Sequence, residues 1–147
     1  MTERRDIDQL HDELEQLFDD LWRLPRFGRA RRSFRPHVDV FRTADPAQQV
    51  TVVVDLAGVD PDGVHLGVVD STLVVAGLRP RREPECPRSY YHLEIEYGPF
   101  ERRIALPDDA DAEHASASYE RGLLTIVIPV AARAPAPARA SIPVTRR

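Results

Sequence analysis

Residues 115–130 read ASASYERGLLTIVIPV, and this stretch decides the fold. "ASASYE" alternates along its length, "LLTIVI" is a short apolar run, and Arg121-Gly122 separates them. Two strand-length segments joined by two residues, one of them glycine, form a β-hairpin: glycine supplies the positive φ that such a turn needs.

The same grammar extends upstream. "VTVVVDL" places Val50, Val52, Val54 and Leu56 on one face, because side chains in a strand alternate with period two. "HVDVF" alternates, and so does "FERRIAL". "VHLGVV" and "TLVVAGL" are joined by Asp70-Ser71, a second hairpin signal. About seven short strands with turn residues between them, and no helix-length apolar period, predict an all-β, immunoglobulin-like two-sheet sandwich over residues 36–130.

Residues 1–35 differ in kind. Ile7, Leu10, Leu14, Leu17, Leu21 and Leu24 recur at steps of three and four, a heptad seam that Phe18 and Trp22 widen. Asp6 and Gln9 resemble a capping box, and Pro25 ends the helix. "RLPRFGRARRSFR" then carries six arginines and no acid. The prediction is an amphipathic helical arm outside the sandwich, with Leu17, Phe18, Leu21, Trp22, Phe27 and Phe34 as exposed apolar groups able to meet other proteins.

Between two strands lies "RPRREPECPRSYYHLEIEYGP", too long for an ordinary connection. Its second half alternates, with Tyr91, Leu93 and Ile95 on one face and His92, Glu94 and Glu96 on the other. A strand at the tip of a long loop lacks a nearby edge of its own, so it is expected to reach the sheet edge of a second subunit. Arg102 shares a face with Phe100, Ile104 and Leu106, where an arginine is rarely buried without a partner. A carboxylate at an interface is expected beside it, with Glu94, Glu96 or Asp39 as candidates.

Residues 131–147 form a tail. "ARAPAPARA" favours an extended, solvated chain. "SIPV" follows, with Ile142 and Val144 pointing the same way when extended and Pro143 fixing φ between them. Such a triplet fits a strand-addition tag with two apolar knobs. Taken alone, it fits a stray apolar pair equally well. Either way, the tail is expected to add nothing to the core of its own sandwich.

Composition removes several function classes. The net charge of −4 gives no bulk attraction to nucleic acid. The chain has no lysine, so neither a phosphate-loop lysine nor a Schiff base is available. The lone cysteine, Cys86, sits between Pro84 and Pro87 without an activating base at strand or helix spacing. The histidines lack metal-ligand spacing, and Asp108, Asp109, Asp111 and Glu113 read as a solvated connection. No catalytic residue, cofactor or metal is expected. With no signal segment or membrane-length apolar run, the expected location is the cytoplasm.

The hairpins also carry a resemblance. "YGPFERRIALP", with Tyr97, Gly98, Phe100, Arg102, Leu106 and Pro107, and "ASYERGLLTIVIP", with Ala117, Gly122, Leu124 and Pro129, resemble the α-crystallin domain of the small heat-shock proteins. "DLAGVDPDGVHLGVVDSTLVVAG" is similar to the family's strand-loop-strand segment, and the similarity covers about two-thirds of the chain. It implies an ATP-independent holdase that binds partly unfolded clients, forms dimers and larger homo-oligomers, and needs no cofactor. It places Tyr91, Leu93, Glu94, Ile95 and Arg102 at a dimer interface. It also docks Ile142 and Val144 in a neighbour's groove walled by Val64, Leu66 and Val68, with Ala117 and Tyr119 opposite. Two other readings remain. A co-chaperone adaptor with the same sandwich would be monomeric and lack arm, loop and tail motif. An RNA or an anionic membrane surface would meet the arginines and Phe27 and Phe34 of the arm, whose charge the preceding acidic helix offsets.

Overall fold

Valine and isoleucine at every second position suit an extended chain with one buried face, and this pattern builds the centre of the molecule. The structure, a computed structural model, describes residues 34–131 and 140–147. The predicted helix over residues 6–24, with Leu17, Phe18, Leu21 and Trp22, lies outside the described residues, as do Phe27 and most of the alanine-proline linker.

Among the described residues the strands are β1 (Val38–Thr43), β2 (Gln49–Asp55), β3 (His65–Val69), β4 (Thr72–Arg79), β5 (Gly98–Ala105), β6 (Ser116–Glu120), β7 (Leu123–Pro129), β8 (Ala140–Ser141) and β9 (Val144–Arg146). They form two sheets, ordered β1-β2-β7-β6-β9 and β5-β4-β3-β8. Every pairing is antiparallel except β6 with β9. The fold is the expected two-sheet sandwich.

The register aligns the apolar faces. Val50 pairs with Ile128, Val52 with Ile126 and Val54 with Leu124, and all six are buried. Leu66, Val68, Leu73, Val75, Phe100 and Ile104 supply the opposing layer. Each such side chain removed from water stabilises the fold by about 1.5–3 kcal/mol. Slipping any strand by one residue would turn its apolar set to solvent, so the register is strongly specified.

Both hairpin turns form where the sequence placed them. Asp70 and Ser71 have φ of 48° and 60°, and Arg121 and Gly122 have 51° and 84°. Two successive positive φ angles match the right-handed twist of the strands they join. Gly122 has a second reason to lack a side chain: a Cβ there would lie 3.0 Å from the Cα of Ala57.

Two expectations need correction, one at β1 and one at the tail. β1 alternates in sequence but buries little: Val38 is half-buried, while Val40 and Phe41 are 48% and 47% exposed. As an edge strand it pairs with β2 alone. Residues 91–97 carry no ladder within this chain; the strand expected in "YYHLEIEY" was one that pairs with a second subunit. The tail, expected to stand clear of its own sandwich, contributes β8 and β9 to it, and Ile142 joins the core cluster.

Candidate subunit-docking groove and exchange loop

β3 and β6 border the groove, one from each sheet, and the tail runs between them. β3 turns Leu66 and Val68 inward, with Val64 just before it, and Ala117 of β6 is buried in the same cluster. Ala140 and Ser141 pair antiparallel with Val68 and Gly67, and the Ile142 amide donates to the Leu66 carbonyl at 3.2 Å. Pro143, which has no amide hydrogen, is where the chain leaves one sheet for the other. Val144, Thr145 and Arg146 then pair in parallel with Ala117, Ser118 and Tyr119. Ile142 is only 4% exposed, and Val144 packs half-buried against the same cluster. The structure thus brings together Val64, Leu66, Val68, Ala117, Ile142 and Val144, and it does so within one chain.

Tyr119 is the polar anchor of this region. Its half-buried hydroxyl lies 3.0 Å from the carbonyl oxygens of both Leu56 and Val59. Those residues bracket a tight turn in which the Val59 amide donates back to Leu56 and Gly58 takes a φ of 79°. Burial pushes the Tyr119 phenol above its ordinary value, against the pull of the nearby Arg146 and Arg79 guanidinium groups. The protonated phenol is therefore the form the fold favours. Its contribution is complete below about pH 10 and is lost as pH rises past that value. Tyr119→Phe is expected to lower stability by about 1 kcal/mol at neutral pH, since the Val59 carbonyl loses its donor. Urea denaturation at successive pH values checks this: the variant should show a shallower alkaline loss than the parent.

The long loop expected to exchange follows β4. Tyr91 is 97% exposed, Leu93 62% and Ile95 63%, so three large apolar side chains at alternate positions meet solvent. Glu94 is exposed beside them. Arginines tie the loop to itself and to its base. Arg81 lies over the Tyr97 ring at 4.6 Å, Arg88 donates to the Arg82 carbonyl, and Arg79 donates to the Glu96 carbonyl at 3.3 Å. A cleft of about 660 Å³ separates this segment from Arg79, Pro80 and the Ala57-Gly58 turn.

Within this chain Arg102 meets a backbone oxygen rather than a carboxylate. Its guanidinium donates to the Pro36 carbonyl at 2.6 Å, and among the described residues it forms no ion pair with Glu94, Glu96 or Asp39. A backbone oxygen satisfies a half-buried guanidinium as a carboxylate would, without burying a second charge. Phe34, grouped with the exposed arm, is 6% exposed. Its ring packs edge-on against Phe100 at 5.4 Å and lies 3.5 Å beneath the Arg79 guanidinium. The signal was present in the sequence: Phe34, Pro36 and Val38 extend the period-two pattern upstream of β1.

Two carboxylates of the acidic segment after Pro107 are paired, one with a residue 67 positions away and one locally. Asp109 meets Arg42 at 2.6 Å and Asp111 meets His114 at 2.7 Å. Among the described residues no group of three histidine, cysteine or carboxylate side chains is placed to hold a metal, and no helix is long and apolar enough to cross a membrane. Cys86 is exposed.

A model of the Hsp20/alpha crystallin family matches residues 43–145, from the end of β1 through the tail motif. The chain belongs to the Hsp20/alpha crystallin family. The 18 kDa antigen 2 of Mycobacterium avium is 33% identical over 115 residues, covering 78% of this chain and 79% of that one. The 16.9 kDa class I heat shock protein 1 of Triticum aestivum is 39% identical over 79 residues, and the chain spans 52% of its length. Among solved structures, a small heat-shock protein from Xylella fastidiosa is 32% identical with a TM-score of 0.60, covering 74% of this chain and 95% of that one. Because the Hsp20 match includes Val64, Ala117, Ile142 and Val144, the groove and the tail both belong to the family's shared part. Membership supports a chaperone role.

Proposed function

We propose that this Hsp20 protein is an ATP-independent holdase, a homo-oligomer that captures partly unfolded proteins and keeps them from aggregating. The observation that carries the reading is the groove itself: two sheet edges and an apolar floor accept an Ile-x-Val strand through main-chain bonds. A tail that fits this groove links subunits when it docks in a neighbour. The Xylella fastidiosa relative adopts a distinct high order structure, in keeping with such linkage.

A second contact joins subunits in pairs. The exposed face of Tyr91, Leu93 and Ile95 has strand-forming residues and no ladder, and β1 offers an open edge with Val40 and Phe41 uncovered. Laying one along the other satisfies both. Arg102, by holding the Pro36 carbonyl, fixes the segment that leads into β1. Clients meet the arm at Leu17, Phe18, Leu21, Trp22 and Phe27; buried Phe34 is not part of that surface. The reaction needs no nucleotide, and the chain contains no lysine for a phosphate loop.

Light scattering of a heat-denatured model client, without nucleotide, tests the reading. Scattering is expected to fall to a small fraction of the client-alone signal near equimolar protein. Equal scattering with and without the protein rejects it.

A further inference from the structure

The chain enters the sandwich through residues 34–37, and it does so against the stem of the long loop. Arg79 ends β4 and Gly98 begins β5, and the two are paired in the ladder. The stem therefore stays on its own sandwich whichever chain the tip of the loop meets. Phe34 is buried beneath it. The Arg79 guanidinium lies 3.5 Å over the Phe34 ring, and Phe34 meets Phe100 of β5 edge-on at 5.4 Å. Gly77 leaves room for that aromatic pair, since a Cβ there would lie 2.9 Å from the Phe100 ring.

We propose that residues 34–36 are a strap that positions the long loop for subunit pairing, with Phe34 and Arg79 as the positioning residues. The inference rests on reading residues 90–97 as the pairing strand, and it adds what aims that strand.

The strap has one firm end and one light end. At the firm end Pro36 is fully buried, its carbonyl accepts from Arg102 at 2.6 Å, and the His37 carbonyl accepts from the Asp55 amide at 3.0 Å. Arg102 belongs to β5 and Asp55 to β2, so both sheets hold that end. At the light end the hold is a ring beneath a cation. The Arg79 Nε is buried without a hydrogen-bond partner among the described residues. Leaving a buried donor unpaired is costly, and the stack on the Phe34 ring offsets that cost.

Arg79 carries that position to the loop. It donates to the Glu96 carbonyl at 3.3 Å, and the Arg35 amide faces the Glu96 carboxylate at 3.5 Å. Glu96 directly follows Ile95, on the limb that returns to β5. Residues 80–97 enter no ladder, so the direction in which Tyr91, Leu93 and Ile95 leave the sandwich depends on side-chain contacts at the stem. A guanidinium with no ring beneath it regains several rotamers, and Glu96 loses a fixed donor. The tip then spreads over many directions, and pairing bears the entropy of selecting one. Coupling between two sites is reciprocal, so a partner that fixes the loop also holds Phe34 down. The arm and the pairing strand thus share one joint.

The full-length variant Phe34→Leu tests this. Leucine keeps an apolar group against Phe100 but offers no ring to Arg79. In native mass spectrometry a loosened pair releases single subunits, whereas loosened tail docking releases dimers. The concentration below which single subunits appear should rise about tenfold in Phe34→Leu. Arg79→Gln should do the same, and combining the two should add less than about a further twofold, since both remove one stack. An unchanged threshold in Phe34→Leu would overturn the proposal, as would independent effects that multiply to about a hundredfold. Hydrogen exchange separates positioning from a general loss of stability. Peptides covering residues 94–98 should exchange about fivefold faster in Phe34→Leu, with β2 and β7 unchanged. Acceleration of all strands alike would overturn the role given to Phe34. If deleting residues 90–97 yields single subunits while Phe34→Leu pairs like the parent, the strap alone fails. If the deletion variant still pairs, the pairing strand itself fails, and the strap with it.

Discussion

The double variant Ile142→Ala, Val144→Ala is expected to elute as a dimer while keeping the β-sheet circular dichroism of the parent. Ile142 is 4% exposed and Val144 is half-buried against the same cluster. Truncating both removes about 3 kcal/mol of apolar burial from each docking event, close to a hundredfold in docking affinity. Every tail contact in a closed assembly suffers that loss, and the losses multiply around it. The sandwich survives because β2, β4 and β7 hold its centre without the tail. Its melting temperature should nevertheless drop by several degrees, since Ile142 belongs to the core cluster. Native mass spectrometry reads the assembly. A variant that keeps the parent's subunit number would remove the tail from the assembly contacts.

Deleting residues 90–97 is the second large perturbation. Tyr91, Leu93 and Ile95 together expose more apolar side chain than a solvated loop needs. If all three become buried on a partner's β1, they contribute at least about 4.5 kcal/mol, so their loss weakens the dimer on the order of a thousandfold or more. The expected product is a folded monomer at micromolar concentration by analytical ultracentrifugation. The deletion leaves the two sheets and their registers untouched, because residues 91–97 enter no ladder. Persistent dimers in the variant would reject strand exchange.

Where the sequence was legible, a local rule and a global one agreed. The valines at 50, 52 and 54 and the isoleucines at 126 and 128 alternate as the pleat demands, and they meet across one ladder. Both turns needed two positive φ angles, and Asp70-Ser71 and Arg121-Gly122 provided them. The groove walls Val64, Leu66, Val68 and Ala117 were reached through resemblance, and the structure gathers them with Ile142.

What escaped the sequence depended on long-range partners. Arg102 announced that it needed a partner, but nothing local distinguishes a carboxylate from the Pro36 carbonyl sixty-six residues away. Phe34 sat in an arginine-rich run whose composition outweighed a two-step alternation. The strand at residues 144–146 is set by the exposed edge of β6, since short polar segments become strands when an edge is offered. β1 illustrates the reverse: its sequence alternates, yet an edge strand does not have to bury the face its pattern prepares.

Size-exclusion chromatography of a heated mixture of the protein and an aggregation-prone client, in buffer free of nucleotide, reaches the central claim most directly. A holdase carries the client with it: both polypeptides should leave the column together, in a soluble complex larger than the resting protein. Client in the pellet, with the protein eluting unchanged at its own position, would contradict the chaperone function proposed for this chain.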